Sequence, residues 1–195
     1  MLFDLTNDDL VRVFGADRVT YTPAASAEAA GISGTTLAFM TEVGLPENEF
    51  ISFPDFDDPG TTIRKLSLEE LGATWNLPDA ALEWVFFGNF EISVIVLDTR
   101  TGEIHQLTEG IMSPIPLHTD VSSLIETITR LSTVTKSLPE DYAGDEDFLE
   151  RLEATLDTVK SEITELDLNP FHDDLSEWVD IVTTIGAGSW AADPS

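Results

Sequence analysis

Apolar residues recur along the chain with two different periods, and helical spacing dominates its first part. This spacing predicts a helix over residues 7–14, which Gly15 ends. It predicts a second helix over residues 35–43, in which the apolar side chains share one broad face and Gly44 is the stop. Short helical turns are predicted at residues 24–30 and 67–71.

The middle of the chain has the clearest strand pattern. Two segments rich in β-formers flank Gly88-Asn89-Phe90-Glu91, and because Gly-Asn is a dipeptide typical of tight turns, this pattern predicts a hairpin. The second segment, residues 92–97, is apolar on both faces, so we expect it to be a central strand covered on both sides. The predicted strands are residues 19–21, 49–53, 84–87, 92–97 and 103–107.

The C-terminal third has helical spacing throughout. Asp120 is the predicted N-cap of the first of its helices, and Asp174 with Glu177 resembles a capping box at the start of the last. The middle helix has an apolar stripe on one side and acidic residues on the other. The three predicted helices are residues 121–138, 146–166 and 175–185.

The order of these elements predicts the fold class. Strands cluster in the middle of the chain and helices cluster at its end, which favours an α+β fold over alternating α/β units. We expect an antiparallel or mixed central sheet of about four to six strands, with helices packed on it and a helical C-terminal third. We expect a single domain over residues 1–185 and a flexible tail over residues 186–195.

The composition is that of a folded and strongly acidic protein. Among 195 residues, 37 are acidic and 9 basic, for a net charge of −28, and 42% are hydrophobic. That apolar content is enough for a core and argues against global disorder. The absence of cysteine excludes a disulfide scaffold and a thiolate zinc site. Without a secretory signal pattern or an apolar run of ~20 residues, we expect a cytoplasmic protein with no membrane partner.

The sequence contains no motif for catalysis or cofactor binding. Neither GxxxxGK[ST] nor GxGxxG occurs, and GxSxG is also absent. His105, His118 and His172 lack metal-ligand spacing, so we interpret them as ordinary surface or half-buried residues. We therefore expect a non-enzymatic protein with no cofactor and no metal. An acidic site assembled by the fold around a histidine is the alternative.

The negative charge is the main functional signal. A surface of net charge −28 repels phosphates, which argues against a nucleic-acid partner and favours a partner with a basic surface. Solubility, or adaptation to high salt, is the alternative explanation of this charge. The candidate partner-binding residues lie in two acidic loops and are Asp55, Asp57, Asp58, Asp141, Asp145, Glu146 and Asp147.

One segment points to a known family. Residues 39–46, Phe-Met-Thr-Glu-Val-Gly-Leu-Pro, resemble the F-L-T-E-V-G-L-P motif of the fourth subgroup of the SUKH superfamily of bacterial immunity proteins. The resemblance extends from Leu37 to Val182, with a departure at residues 114–120, where most of an F-V-N-S-S segment is replaced. Further similar segments, in matching order, are residues 50–53, 87–88, 95–98, 101–104, 121–131 and 166–170, with Trp178.

This resemblance implies a non-catalytic protein that neutralises a toxin of the same or a neighbouring bacterium. It also implies that motif residues such as Gly44 and Gly102 are structural. Such toxins are often nucleases or other enzymes acting on nucleic acid, whose basic clefts an acidic surface would attract. The leading hypothesis is an inhibitor that occludes a toxin's active site or a neighbouring surface. The alternative is a regulatory or scaffold module of the same fold that binds a cellular protein. The sequence makes no prediction of the oligomeric state.

Overall fold

A computed structural model describes residues 1–54, 63–66, 75–139 and 142–190. Its architecture is α+β, as predicted, with an antiparallel four-stranded sheet, a second two-stranded sheet and helices at the C-terminal end. The elements are α1 (Asn7–Phe14), β1 (Val19–Thr20), α2 (Ala24–Ala29), α3 (Gly34–Ala38), β2 (Leu45–Pro46), β3 (Trp84–Asn89), β4 (Ser93–Asp98), β5 (Ile104–Thr108), β6 (Ile115–His118), α4 (Val121–Thr135), α5 (Glu146–Thr164) and α6 (Glu177–Gly186).

The N-terminal helices form where local sequence predicted them. Helix α1 has the predicted bounds, and its first turn is closed by a capping box between Thr6 and Asp9. Helix α3 continues as a π-helical turn, Phe39–Val43, so that the two together cover the predicted helix over residues 35–43. The turn ends at Gly44, whose φ of +94° suits glycine alone among the ordinary residues.

The prediction of a strand over residues 49–53 is wrong. Only Ser52 makes an isolated bridge, to Asn89. The side chain of Asn48 explains the difference, because its Oδ1 accepts hydrogen bonds from the N–H groups of Phe50 and Ile51, each at 2.9 Å. Such a local bond holds the backbone in a turn instead of a strand. The unpredicted strand β2 lies just before it and pairs with β1.

The four-stranded sheet has the order β3-β4-β5-β6, with every neighbouring pair antiparallel. Strand β4 lies in its interior, and its residues alternate between two apolar clusters. Ile95 and Leu97 face the main core, while Val96 packs in a smaller cluster that includes Trp84 and Leu107. The prediction of a central strand covered on both sides is therefore confirmed.

The hairpin between β3 and β4 is confirmed, but its turn lies further along the chain than predicted. Gly88 and Asn89 belong to β3, and the turn is closed by a 2.9 Å hydrogen bond from the N–H of Phe90 to the carbonyl of Ser93. A Cβ at Gly88 would lie 2.9 Å from the carbonyl oxygen of Ser52. The glycine therefore allows a close approach between backbones and does not form the turn.

Strand β6 was not predicted, because it lies in the segment that departs from the family pattern and contains proline. Among the described strands it pairs only with β5 and forms the edge of the sheet. An edge strand tolerates Pro116 because the missing N–H is not needed by a second neighbour. This edge strand ends at His118, two residues before Asp120, the N-cap of α4.

The C-terminal helices complete the main core. Asp120 caps α4, as predicted, by accepting a 3.0 Å hydrogen bond from the N–H of Ser123. The predicted capping box at Asp174 is wrong: Ser176 is the N-cap of α6 and makes no side-chain cap. Instead, Asp173 Oδ1 accepts a hydrogen bond from the N–H of Leu175 and forms a turn before the helix. None of the helices in the described ranges is long and apolar enough to cross a membrane.

The chain beyond α6 packs back on the core as far as it is described. The ring of Trp190 lies 5.2 Å from the ring of Phe50, and its carbonyl accepts a hydrogen bond from the hydroxyl of Tyr142. Residues 191–195 of the predicted tail lie outside the described residues, as do the predicted helical turn at 67–71 and most of the first acidic loop, at 55–60.

Candidate partner-binding surface

Three of the predicted partner-binding residues lie together at the start of α5. Asp145 is the N-cap, and its Oδ1 accepts a 3.0 Å hydrogen bond from the N–H of Phe148. Glu146 and Asp147 occupy the first turn, and all three side chains are exposed. The positive end of the helix dipole stabilises acidic groups there, which gives them a structural role as well as an exposed position. Asp55, Asp57, Asp58 and Asp141 lie outside the described residues.

Helix α5 extends this acidic surface along its whole length. Its apolar stripe is buried, so the opposite side of the helix faces solvent. Within residues 146–165 the only basic residues are Arg151 and Lys160. The buried stripe consists of Leu152, Leu156, Val159 and Ile163. The exposed acidic residues, here called the α5 acidic face, are Glu146, Asp147, Glu150, Glu153, Asp157, Glu162 and Glu165.

Two ion pairs offset a part of this charge. Lys160 Nζ lies 3.7 Å from Asp157 Oδ1, one helical turn away. Arg130 on α4 pairs with Glu162 and also with Glu126, so it links α4 to α5. Exposed pairs of this kind contribute little to stability, and most carboxylates of the α5 acidic face remain available to a positively charged partner.

The fold also brings together Ser123, His118 and Asp167, residue types that hydrolases use for nucleophilic catalysis. His118 Nδ1 lies 2.9 Å from Ser123 Oγ and 3.8 Å from Asp167 Oδ2. His118 Nε2 accepts a 2.8 Å hydrogen bond from the indole N–H of Trp178, so the lone pair of this nitrogen is not available to act as a base. All of these side chains are buried. The cluster therefore ties β6, α4 and α6 together and cannot act on a substrate.

Burial sets the protonation of this cluster. It lowers the pKa of His118 below its ordinary value of about 6.5, and this effect outweighs the nearby charge of Asp167. Burial by itself would raise the pKa of Asp167, but the adjacent polar groups of His118 and Ser123 and the hydrogen bond from the N–H of Thr119 hold that pKa well below its usual range. The folded protein therefore contains a neutral imidazole beside an ionised carboxylate.

We expect the folded state to lose stability as the pH falls below about 6.5. The unfolded chain then takes up a proton at His118 that the folded chain does not, which costs up to about 1.4 kcal/mol for each pH unit. Burial also lowers the pKa of His105, so that residue acts in the same direction. Burial raises the pKa of Glu177. At pH values above the ordinary pKa of a glutamate, the folded chain therefore keeps a proton at Glu177 that the unfolded chain loses, so this residue makes the folded state more stable as the pH falls.

Urea denaturation followed by circular dichroism between pH 7 and pH 5 measures this dependence. The matched variant is His118→Gln, whose amide oxygen can still accept the Trp178 N–H but does not titrate. Its free energy of unfolding should vary less steeply with pH than that of the wild-type protein. Equal slopes for the two proteins would show that His118 titrates alike in the folded and unfolded chains.

A separate opening in the described part of the chain has little chemistry. A cleft of about 530 Å³ lies between β2 and residues 51–54. Of the described residues that line it, only Glu47 carries a carboxylate, and that group pairs with Arg18 at 3.4 Å. In the described ranges, no group of three or more His, Cys, Asp or Glu side chains is arranged to hold a metal ion.

Sequence reasoning missed the buried cluster around His118. The periodicity of the sequence places His118 and Asp167 at polar positions in loops and does not predict that they contact each other. The available signal was the family pattern, because Asp167, Pro170 and Trp178 all lie in its closing stretch. Gly44 and Gly102 have positive φ angles, as their predicted structural roles require.

Comparison with known proteins identifies the family of the chain. A family model described as SUKH-4 immunity protein matches residues 5–184. No curated protein and no solved structure matches the chain. The match covers nearly the whole chain and includes both the motif around Gly44 and the residues of the buried cluster. The chain therefore belongs to the SUKH-4 immunity protein family.

Proposed function

We propose that this chain neutralises a cognate toxin that acts on nucleic acid, and that it does so by covering a basic substrate-binding surface with its own acidic surface. Membership of an immunity protein family supports a toxin as the partner. The α5 acidic face supports the proposed mode of binding, because it concentrates carboxylates on one rigid element. The complex forms in the cytoplasm, where a toxin of this class meets its substrate.

Electrostatics explain how such a surface would act. A cleft built to bind phosphates has a positive potential, and an acidic helix is drawn to it by long-range attraction. This attraction raises the association rate more than it lengthens the life of the complex. The helix then occupies the place of the nucleic acid, and the phosphate backbone of the substrate is repelled by the remaining charge.

The test uses the protein encoded beside this chain's gene as the candidate toxin. Excess wild-type protein should abolish its degradation or modification of nucleic acid, and co-expression should protect the host. The variant Glu146→Gln/Glu150→Gln/Glu153→Gln should associate about tenfold more slowly at low salt, with a weaker dependence on ionic strength. Its dissociation rate should change little.

A second triple variant provides the matched control. Asp17→Asn/Glu28→Gln/Glu42→Gln removes the same charge from exposed positions outside α5 and should slow association less than about twofold. If both triple variants associate equally slowly, net charge acts without any contribution specific to α5. A toxin that remains fully active in the presence of excess protein contradicts the proposed function. A protected target other than nucleic acid contradicts the proposed class of toxin.

A further inference from the structure

Residues 166–175, here called the α5–α6 connection, expose an unusual amount of apolar side chain. Leu166, Leu168 and Leu175 are 56%, 64% and 54% exposed. The other exposed large apolar side chains in the described ranges are dispersed along the chain and are Met1, Leu2, Tyr21, Leu82, Ile92 and Met112. Exposed leucines are ordinary when single, but a concentration of them in one short connection indicates an interaction surface.

The first half of this connection is held firmly to the body of the protein. The buried carboxylate of Asp167 accepts hydrogen bonds from the N–H of Thr119 at 2.8 Å and from its hydroxyl at 2.9 Å. It also accepts one from the N–H of Asn169 at 3.2 Å. Leu166 and Leu168 flank this anchored residue, so their backbone positions are set by the buried network and their side chains remain in solvent.

The second half is held in the same way. The carbonyl of Leu175 accepts a 3.1 Å hydrogen bond from Gln106 Nε2, and its N–H donates to Asp173 at 2.9 Å. The hydroxyl of Ser176 donates to the carbonyl of Pro170 at 2.8 Å. A partner that binds these leucines therefore does not have to order a mobile loop, which removes a cost that weakens many interfaces.

The charge around the connection indicates the chemistry of what binds there. The chain contains no Lys or Arg after Lys160, whereas its acidic residues continue through the connection and α6. Glu177 is buried beside Leu175, and in the described part of the chain its Oε1 has no hydrogen-bond partner. Asp180 and Glu91 lie close enough to act on it electrostatically. These acidic groups favour a cationic partner.

The same charge excludes other occupants of this surface. A second copy of the chain would bring like charges together around the leucines, which costs free energy. An anionic lipid surface and a nucleic acid would be repelled for the same reason. A protein with apolar side chains flanked by Lys or Arg matches both the leucines and the acidic groups.

We propose that the α5–α6 connection is the anchor of the toxin interface, with Leu168 and Leu175 buried against apolar side chains of a toxin surface that is rimmed by basic residues. This proposal rests on the proposed function and assigns separate kinetic roles to two parts of the surface. The α5 acidic face, which leads into the connection at Glu165, sets the association rate. The leucines set the dissociation rate, because desolvated apolar contacts hold a formed complex together.

The experiment measures association and dissociation rates by surface plasmon resonance. The probe is the protein encoded beside this chain's gene, inactivated in its active site. Leu168→Ser and Leu175→Ser should each raise the dissociation rate about tenfold and leave the association rate within about twofold, and the double variant should raise it about a hundredfold. Because both side chains are exposed, thermal unfolding of the variants should match that of the wild-type protein.

Leu82→Ser is the matched control, because Leu82 is 61% exposed but lies in the turn Asp79–Glu83 before β3. It should leave both rates unchanged. If the wild-type protein binds the toxin but Leu168→Ser and Leu175→Ser dissociate at the wild-type rate, the proposed anchor is wrong and the proposed function stands. If the wild-type protein neither binds nor protects, the proposed function fails and the anchor fails with it. A wild-type dimer in light scattering that the double variant converts to a monomer identifies a second copy as the occupant and overturns the proposal.

Discussion

Replacing Trp178 by alanine is expected to lower the free energy of unfolding by about 3–5 kcal/mol. The indole is fully buried, with ring centroids 5.1 Å from Phe90 and 5.8 Å from Phe50. Its removal leaves a cavity at the junction of α6 with the sheet, and it leaves His118 Nε2 without a hydrogen-bond donor. Since small proteins have a total stability of roughly 5–15 kcal/mol, this loss is a large part of the whole. Urea denaturation followed by circular dichroism measures it.

The variant Trp178→Phe separates the hydrogen bond from the packing. It keeps most of the ring but removes the N–H, so we expect a loss of about 1–3 kcal/mol from the unpaired imidazole nitrogen and the smaller side chain. It also remains folded if the alanine variant does not. A loss below about 1 kcal/mol for both variants would contradict the buried position of this tryptophan and its bond to His118.

Replacing Gly44 by alanine is expected to lower the free energy of unfolding by about 3 kcal/mol. The backbone has a φ of +94° and a ψ of 180°, a conformation that residues with a side chain rarely adopt. A Cβ at this position would also lie 2.7 Å from Val19 Cγ1 and 3.1 Å from the carbonyl oxygen of Thr20. The strain and the steric clash both act at the junction of the π-helical turn with β2. Thermal or urea denaturation measures the effect.

Gly110 provides the control for this prediction. Its φ of +92° is nearly the same, but a Cβ there would meet nothing within 4 Å. Gly110→Ala should therefore cost only about 1–2 kcal/mol, from the backbone conformation alone. The difference between the two variants reports the steric clash at Gly44. Equal losses would mean that the packing of Gly44 against β1 has no energetic effect.

The residues shared with the family and the exposed acidic residues have separate roles in this structure. Gly44, Asp167 and Trp178 all lie in the parts that resemble the family, and each supports the fold through a backbone conformation, a buried carboxylate or a buried ring. The α5 acidic face lies on the opposite side of a helix whose apolar stripe packs on the core. A surface of this kind can change from one immunity protein to another without disturbing the scaffold, because exposed substitutions cost little stability.

Local sequence signals predicted α1, α4 and α5 because each carries its own cap and its own periodic apolar face. Thr6, Asp120 and Asp145 cap these helices by bonds within three residues, which need no information from elsewhere in the chain. The position of the hairpin turn was predicted wrongly because a local signal competed with a longer-range one. Gly88-Asn89 has the composition of a turn, yet Gly88 is required in β3 because the backbone of Ser52 packs against it.

The candidate partner-binding surface was likewise predictable from the sequence only in part. Charge density along the sequence predicted Asp145, Glu146 and Asp147 as exposed groups, and the structure places them at one helix end. The α5–α6 connection has no such signal, because three leucines in a short segment indicate a buried stretch by composition alone. Their exposure follows from the anchoring of Asp167 and Leu175, whose partners Thr119 and Gln106 are separated from them by many tens of residues.

The sequence by itself determined the α+β class, the main helices, the central strand and the family, because periodicity, caps and motifs act over a few residues. Only the tertiary structure decided the turn of the hairpin, the edge strand β6, the buried cluster of His118 with Trp178, and the exposure of the leucines after α5. These features depend on contacts between residues far apart in the chain. The free energy of such contacts comes from burial and from hydrogen bonds that form only when the whole core is assembled.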